Sequence, residues 1–512
     1  MKFKRRFLAA MSIVLSLTMF AACGNKEGDK KPSDNGNKET PKEFVYGNQT
    51  TGKTLDPHNE WDGWGTYRAG LVETLFKLNN NLEVEPYLAK GFKNVDPNTW
   101  EIEIKDEAKF SNGEKVTGEK VIESLKRAGE KNKRASTLKS AEYKAEGQKV
   151  IIKTKDPDAA FINSLCDPNS GIIDVSGSKD IEKAPVATGP YKVSKFEPKK
   201  LVELVPNENY WNGKPKLSKV TEKYIADSAT MSMALQSGEI QAAVNITADV
   251  LDVFKKDDKS YTVNQFPSSR VYMVYYNLEK LPDEKVREAI SYAIDRKAIA
   301  EQLLGGTVTA GKGPFPIGLE YGGKELEVPE YNPNKTKEIL TSLGYKENNG
   351  VMEKDGKPLT VDLRFYKRLA IEQIGTEIQA QLKKAGITAN AKLGEWEYLK
   401  TGEYQMGLYG VVTLPIGDPY DFMQKTWGKD GASNYNKYSN PKVEELLMKL
   451  KKEFDVKKRG EITLEIQKEA LKSNSHLFIG SVNINIVTKK NVEGVRATPI
   501  EYTLVDVNTV VK

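Results

Sequence analysis

The chain has 512 residues, 77 basic and 71 acidic side chains, a formal charge of +6, and two residues each of cysteine and histidine. That length supplies a large core and two or three domains, whereas so little cysteine and histidine leaves scant material for an all-protein zinc site. The four basic residues within 1–22 are matched by no acidic one, so beyond them 73 basic face 71 acidic side chains, +2 in all, a balance that argues against the basic stripe of a nucleic-acid binder.

In chain order, Lys2, Lys4, Arg5 and Arg6 form a basic head, and Phe7 to Ala22 is a run of 16 uncharged residues. A membrane span needs ~20 apolar residues, so the run fits the middle of an export signal. It stops at Phe20-Ala21-Ala22-Cys23-Gly24, which resembles the lipobox of bacterial lipoproteins. That resemblance implies a signal peptide over 1–22 and lipidation of Cys23, which becomes the mature N-terminus. Residues 24–42 contain no aliphatic or aromatic side chain and cannot bury enough surface to fold. Segment 23–42 is expected to be a flexible tether with a reach of ~24 Å. Stable attachment takes more than one acyl chain, which a multiply acylated Cys23 supplies. The expected location is the extracytoplasmic face of a bacterial cell membrane, lipid-anchored.

The body reads as mixed α/β. Phe44 to Asn48 is an opening strand, with Leu55 to Asn59 as a turn. Leu71, Leu75 and Leu78 share a helical face, which predicts a helix over Gly70 to Leu78. Trp100 to Lys105 alternates as a half-exposed strand does, and Lys149 to Thr154 and Leu201 to Val205 are further strands. Asp283 is placed to cap a helix carrying Val286, Ala289, Ile290 and Ala293, and Asp295 a continuation over Arg296 to Leu304 that Gly305-Gly306 ends. Thr360 to Tyr366, a short loop and Ile371 to Lys384 form a strand-loop-helix unit. Asn440-Pro441 starts a helix with Val443, Leu446, Leu447 and Leu450 along one stripe. Cys166 reads as a buried small hydrophobe, without a partner for an intrachain disulfide once Cys23 is lipidated.

Reaction motifs are missing. There is no HExxH, CxxC or GxSxG. Gly306 to Lys312 mimics a phosphate loop, but Gly313 stands where Ser or Thr is needed and Pro314 obstructs the helix that should follow. No catalytic residue, cofactor or resident metal is expected, and the protein is not expected to be an enzyme.

Several segments carry a family resemblance. Phe110-Ser-Asn-Gly113 with Val116 to Val121, Thr188-Gly189-Pro190-Tyr191, Asn207-Glu-Asn-Tyr210-Trp211, Val286 to Arg296, and Tyr438-Ser439-Asn440-Pro441 occur in this order. Together they resemble the extracellular solute-binding proteins of family 5, the oligopeptide-, dipeptide- and nickel-binding components of ABC importers. The resemblance implies an α/β, two-lobed, periplasmic-binding-protein-like clamp with mixed sheets flanked by helices. Lobe I would combine 43–85, 185–275 and 483–512, with 86–184 as an inserted subdomain, and lobe II would be 276–482. It also implies a monomer that closes on its ligand and docks on ABC permease subunits.

The ligand is less legible. Peptide-binding members hold the peptide amine with an Asp shortly after a Trp; those positions fall here on Pro415 and Val412, so that anchor is absent or moved to Asp418 or Asp421. Nickel-binding members resemble the chain at Asp418-Pro419 and Pro499-Ile500-Glu501-Tyr502, but their loop aromatics fall on Thr413 and Gly417. Arg368 sits near where dipeptide binders place an arginine for the ligand carboxylate; it is either that anchor or a solvated side chain. Trp61 and Trp64 either line the cleft or pack under their loop, and Tyr409 and Tyr420 flank residues 410–417 with the same two options. The first reading is a substrate-binding lipoprotein that captures short peptides. The second is a receptor for a nickel chelate or metallophore, and the third a non-transport adhesin or sensor lipoprotein on the same scaffold.

Overall fold

In one inner strand of the main sheet, alternate side chains enter different cores. Phe44 and Tyr46 of β1 (Glu43–Asn48) are fully buried on one face, and Val45 packs into a second cluster on the other. A strand covered on both faces belongs in a parallel setting, and β1 pairs in parallel with both its neighbours. The computed structural model describes residues 42–512 apart from positions 51, 320 and 369. The expected signal peptide, Cys23 and the tether up to position 41 lie outside the described residues.

Further main-sheet strands are β2 (Tyr191–Glu197), β3 (Leu201–Pro206), β4 (Lys219–Tyr224), β5 (Ala242–Val244), β6 (Tyr261–Tyr276), β7 (Val308–Ala310), β8 (Thr360–Tyr366), β9 (Thr388–Gly394), β10 (Met406–Val412) and β11 (His476–Lys489). The order is β9-β8-β10-β6-β11-β5-β1-β4-β3-β2, with β7 added on β11, eleven strands in one mixed sheet. β6 and β11 are 16 and 14 residues long and pair antiparallel from Tyr261↔Lys489 to Tyr275↔His476. One part of the sheet gathers β1, β4 and β5 in parallel, and the other gathers β8, β9 and β10.

The helices used below are α1 (Asp62–Arg68), α2 (Gly118–Lys131), α3 (Glu284–Tyr292), α4 (Ile371–Lys384), α5 (Tyr420–Trp427), α6 (Pro441–Lys452) and α7 (Val456–Leu471). Asp283 accepts from the amides of Lys285 and Val286 at the start of α3, and Asn440 from those of Lys442 and Val443 at the start of α6. Each cap satisfies donors that a helix start leaves free. Asp295 caps only a short α-turn, and the chain widens over Ile299–Leu303 into i→i+5 bonding before Gly305 and Gly306 turn it away. Residues 89–153 hold a separate antiparallel sheet of four strands, on which α2 lays its buried Val121, Leu125 and Ala128.

The helix expected over Gly70 to Leu78 does not form. Leu71, Leu75 and Leu78 are buried as the spacing requires, but α1 lies earlier and only Phe76–Leu78 is regular, as a strand. The backbone bonding explains the difference. The carbonyls of Gly70, Leu71, Glu73, Thr74 and Leu75 accept from Tyr191, Gly189, Ile172, Leu88 and Ala89, so they are not available to amides four residues on. Gly189 has no alternative at its position, since a Cβ there would lie 2.4 Å from the Gly70 carbonyl oxygen.

A buried ionic group fixes the 55–59 turn to α2. The Asp56 side chain, wholly out of solvent, receives both ends of the Arg127 guanidinium at 2.8 and 2.6 Å and the Lys131 ammonium at 2.5 Å. Burial pushes its carboxyl up, but Arg127 and Lys131 outweigh that and bring it to about 2. His58 shares the group: Arg127 donates to Nδ1 at 2.8 Å, so the ring proton sits on Nε2, which donates to the Gly171 carbonyl at 2.9 Å. A second proton would have to enter on Nδ1, facing a guanidinium. Burial, aided by that charge, holds His58 down at about 4, and burial alone holds His476 at about 3.

Because both histidines bind a proton more readily unfolded, at about pH 6.5, they stabilise the fold above that pH. The contribution declines as pH falls toward 4 and then 3. These are the chain's two histidines, so histidine NMR should show both rings neutral at pH 5.5. A ring titrating near 6.5 in the folded protein would contradict the packing described.

Candidate functional site

In open α/β sheets ligands gather at the carboxyl ends of parallel strands. Here the ends of β1, β4 and β5 deliver Asn48, Ala226 and Asn245, and the end of β8 delivers Lys367 and Arg368, to the wall of one cavity of about 570 Å³. Two strand sets far apart in the sheet order therefore face a common space. Asn245, with φ of 56°, is left-handed, a state that asparagine tolerates better than most residues. It is held there by Asn485 of β11: the Asn485 side chain accepts from the Ile246 amide and donates to the Ile246 carbonyl, each at 3.0 Å.

The polar floor is an arginine group around one carboxylate. Arg270 of β6 donates twice to Glu501, Nε to Oε1 at 2.7 Å and Nη2 to Oε2 at 2.8 Å, the fork geometry that makes such pairs strong. Both side chains are 12% exposed. Arg68, at the end of α1, donates through Nε and Nη2 to the Glu501 carbonyl oxygen at 3.1 and 2.7 Å. Both of these bonds thus go to a neutral acceptor. Burial raises the Glu501 carboxyl, yet Arg270, Arg68 and Arg368 together hold it below the ordinary Glu range. Lys367 and Arg368 are exposed, and neither forms an ion pair among the described residues. The Arg368 carbonyl accepts the Ile371 amide at 3.0 Å, which sets this loop at the start of α4.

Of the six ligand-binding positions named from sequence, Arg368 lies on this wall. Tyr409 on β10 is half-buried, 5.7 Å ring to ring from Tyr366. Burial pushes its hydroxyl up to about 12 against the nearby Arg368 and Arg270 charges, so it stands beside the arginine group without lining the cavity. Trp64 is buried against Tyr502 at 5.1 Å. Trp61 is 52% exposed, edge-on to Trp64 and covered by the Arg134 guanidinium 3.7 Å from its ring centre. Asp418 is buried in an ion pair with Arg459 of α7 and also accepts the Tyr420 amide at the start of α5. Tyr420 is half-buried there, and Asp421 pairs with Lys425. Cys166 is buried and forms no disulfide among the described residues.

Sequence reasoning did not single out Arg68, Arg270, Asn245 or Asn485 as site residues. One signal was available for Arg270, a lone charge inside the long β-forming run Tyr261–Tyr276. Nothing local marks the other three. Among the described residues no group of three or more His, Cys, Asp or Glu side chains is arranged to hold a metal, and no helix is long and apolar enough to cross a membrane.

Residues 83–434 match the family model described as bacterial extracellular solute-binding proteins, family 5 Middle. The nickel-binding protein NikA of Staphylococcus aureus is 29% identical over 87% of this chain and 90% of its own length. The oligopeptide-binding protein AppA of Bacillus subtilis is 27% identical over 98% of this chain and 97% of its own. Among solved structures, NikA from S. aureus in complex with Ni(L-His)2 superimposes with a TM-score of 0.79 at 27% identity, covering 92% of this chain and all of that one.

Glu501→Gln leaves the Arg270 charge without its partner and should cost about 3–5 kcal/mol in urea unfolding. Arg368→Ala, which breaks no ion pair among the described residues, should stay within about 0.5 kcal/mol of the parent. Equal losses for the two variants would contradict this assignment of roles.

Proposed function

The chain belongs to the bacterial extracellular solute-binding proteins of family 5, and from that premise we propose that it is the binding component of an ABC importer. It captures short peptides between two lobes and delivers them, chemically unaltered, to permease subunits in the membrane. The observation that carries this reading is the cavity walled by the carboxyl ends of two separate parallel strand sets. Lobe I is 43–85, 185–275 and 483–512, the inserted subdomain 86–184, and lobe II 276–482. Contacts remote from the cavity support a closed state of this clamp: Asn163 Nδ2 donates to the Ile416 carbonyl and the Ala159 amide to that of Lys451, each at 3.0 Å. A ligand that touches both walls only when closed shifts the hinge equilibrium by its difference in affinity for the two states.

Recognition of the peptide backbone by amides and threonines of the wall makes the site tolerant of peptide sequence, with Arg368 holding a carboxylate. Acylation at Cys23 anchors the protein as a monomer near its permease. A nickel chelate is the second reading, favoured by the nickel-binding relative and by the Ni(L-His)2 complex of a similar structure. In that case the chelator supplies the metal's ligands, which suits the lack of a metal-binding cluster among the described residues.

A pool of tri- to pentapeptides at about 100 times its dissociation constant should stabilise the protein by about 2.7 kcal/mol, read as a raised thermal midpoint. A rise with nickel and L-histidine alone replaces the peptide reading by the chelate one, and no rise with either defeats both. Cys23→Ala should abolish incorporation of labelled palmitate in the producing cell and shift the protein into the medium. Unchanged labelling would rule out Cys23 as the anchor.

A further inference from the structure

We propose that the cavity selects net-anionic ligands: a molecule with at least two carboxylates, gripped from opposing walls by Arg68 and by Lys367 with Arg368. This rests on the reading that the cavity is the ligand site, and it narrows which peptides or chelates enter.

The charges on the wall are Arg68, Arg270, Lys367, Arg368, Asp249 and Glu501. Arg270 and Glu501 neutralise each other through their paired bonds at 2.7 and 2.8 Å. Three cations then face one carboxylate on the wall itself; behind it lies Glu222, bonded by Asn48, and burial pushes its carboxyl up against the Arg68 charge. Asp249 is exposed and lies in the first turn of the helix Ala248–Lys255, where the helix dipole and water already satisfy it. The other polar lining residues include Asn48, Asn245, Gln373 and Asn483, amides that offset no charge. Arg68 donates Nε and Nη2 to a neutral carbonyl, which leaves Nη1 for a ligand, while its charge also acts on the carboxyls of Glu501 and buried Glu222. Lys367 and Arg368 are committed to no carboxylate among the described residues.

The arrangement has a consequence for closure. Arg68 stands at the end of α1 on the β1 side, and Lys367-Arg368 follows β8 on the other. Closing the cavity brings like charges toward one another in a site with less water, where their repulsion grows. A ligand with one carboxylate for each side converts that repulsion into attraction, so its charge works directly on the open–closed equilibrium. A zwitterionic peptide with neutral side chains brings an ammonium together with its carboxylate and gains less. Screening by salt must weaken the preference.

The test is calorimetric titration of the full chain with triglutamate, triglutamine and propane-1,2,3-tricarboxylate. Triglutamate is expected to bind roughly tenfold or more tighter than triglutamine at low salt, with the gap narrowing at high salt. Arg368→Gln should reduce the gap to about twofold or less without moving the thermal midpoint of the free protein. Triglutamine binding as tightly as triglutamate overturns the charge inference while leaving peptide capture intact. Tricarboxylate binding with neither peptide bound supports the charge inference and overturns peptide capture. If neither anion binds, the inference falls.

Discussion

The antiparallel pairing of β6 with β11 is the constraint on which the rest depends. These two long strands join the β1 side of the sheet to the β8 side, and their register shifts between Pro267 and Val271. Side-chain and backbone bonds hold the irregularity in place. Ser268 Oγ donates to the Val482 carbonyl at 2.9 Å, and the Ser269 carbonyl accepts both the amide and the hydroxyl of Thr413. Proline at 267 brings no amide that would need a partner there. A bulge re-aims the side chain that follows it, and here that side chain is Arg270, turned onto Glu501 at the cavity floor. The same break thus also places the central ion pair of the site.

The motifs that carry the family resemblance serve this frame more than the ligand. Asn207 Nδ2 donates to the Gly189 carbonyl at 2.8 Å, and Tyr210 and Trp211 donate to Glu73 at 2.7 and 2.8 Å. Glu73 is buried and forms no ion pair among the described residues; burial pushes its carboxyl up to about 7, against the pull of those donors. These residues wrap the irregular segment after Gly70 whose carbonyls bond to amides elsewhere in the chain. Such a buried network tolerates little change, since each donor removed leaves a costly unpaired group. The cavity wall is built differently, from strand ends and loops that can vary without disturbing the sheet. A family recognised through its scaffold therefore says less about its ligand.

Reading the chain from local pattern succeeded where local forces rule. Asp283, Asp295 and Asn440 cap as expected, and Thr360–Tyr366 and Ile371–Lys384 form a strand and a helix with the boundaries expected. It failed over Gly70 to Leu78, where leucines at helical spacing are buried in an extended segment because distant amides claim the backbone carbonyls. Spacing reports which side chains are apolar, not which hydrogen-bond partners the backbone will meet. Trp64 and Asp418 show the same limit for side chains: both are conspicuous in sequence, and both are buried against partners, Tyr502 and Arg459, remote in the chain.

The sequence by itself determined the capped helices and several strands, the family and one wall residue, Arg368, since caps, periodicity and motifs are written over a few consecutive positions. Only the tertiary structure decided that Asn48, Arg68, Asn245, Arg270, Arg368, Asn485 and Glu501 share a cavity. They come from seven separate places in the chain, and what unites them is the order of strands in the sheet. That order is set by long-range pairing and by which faces bury apolar surface, quantities that no window of neighbouring residues contains.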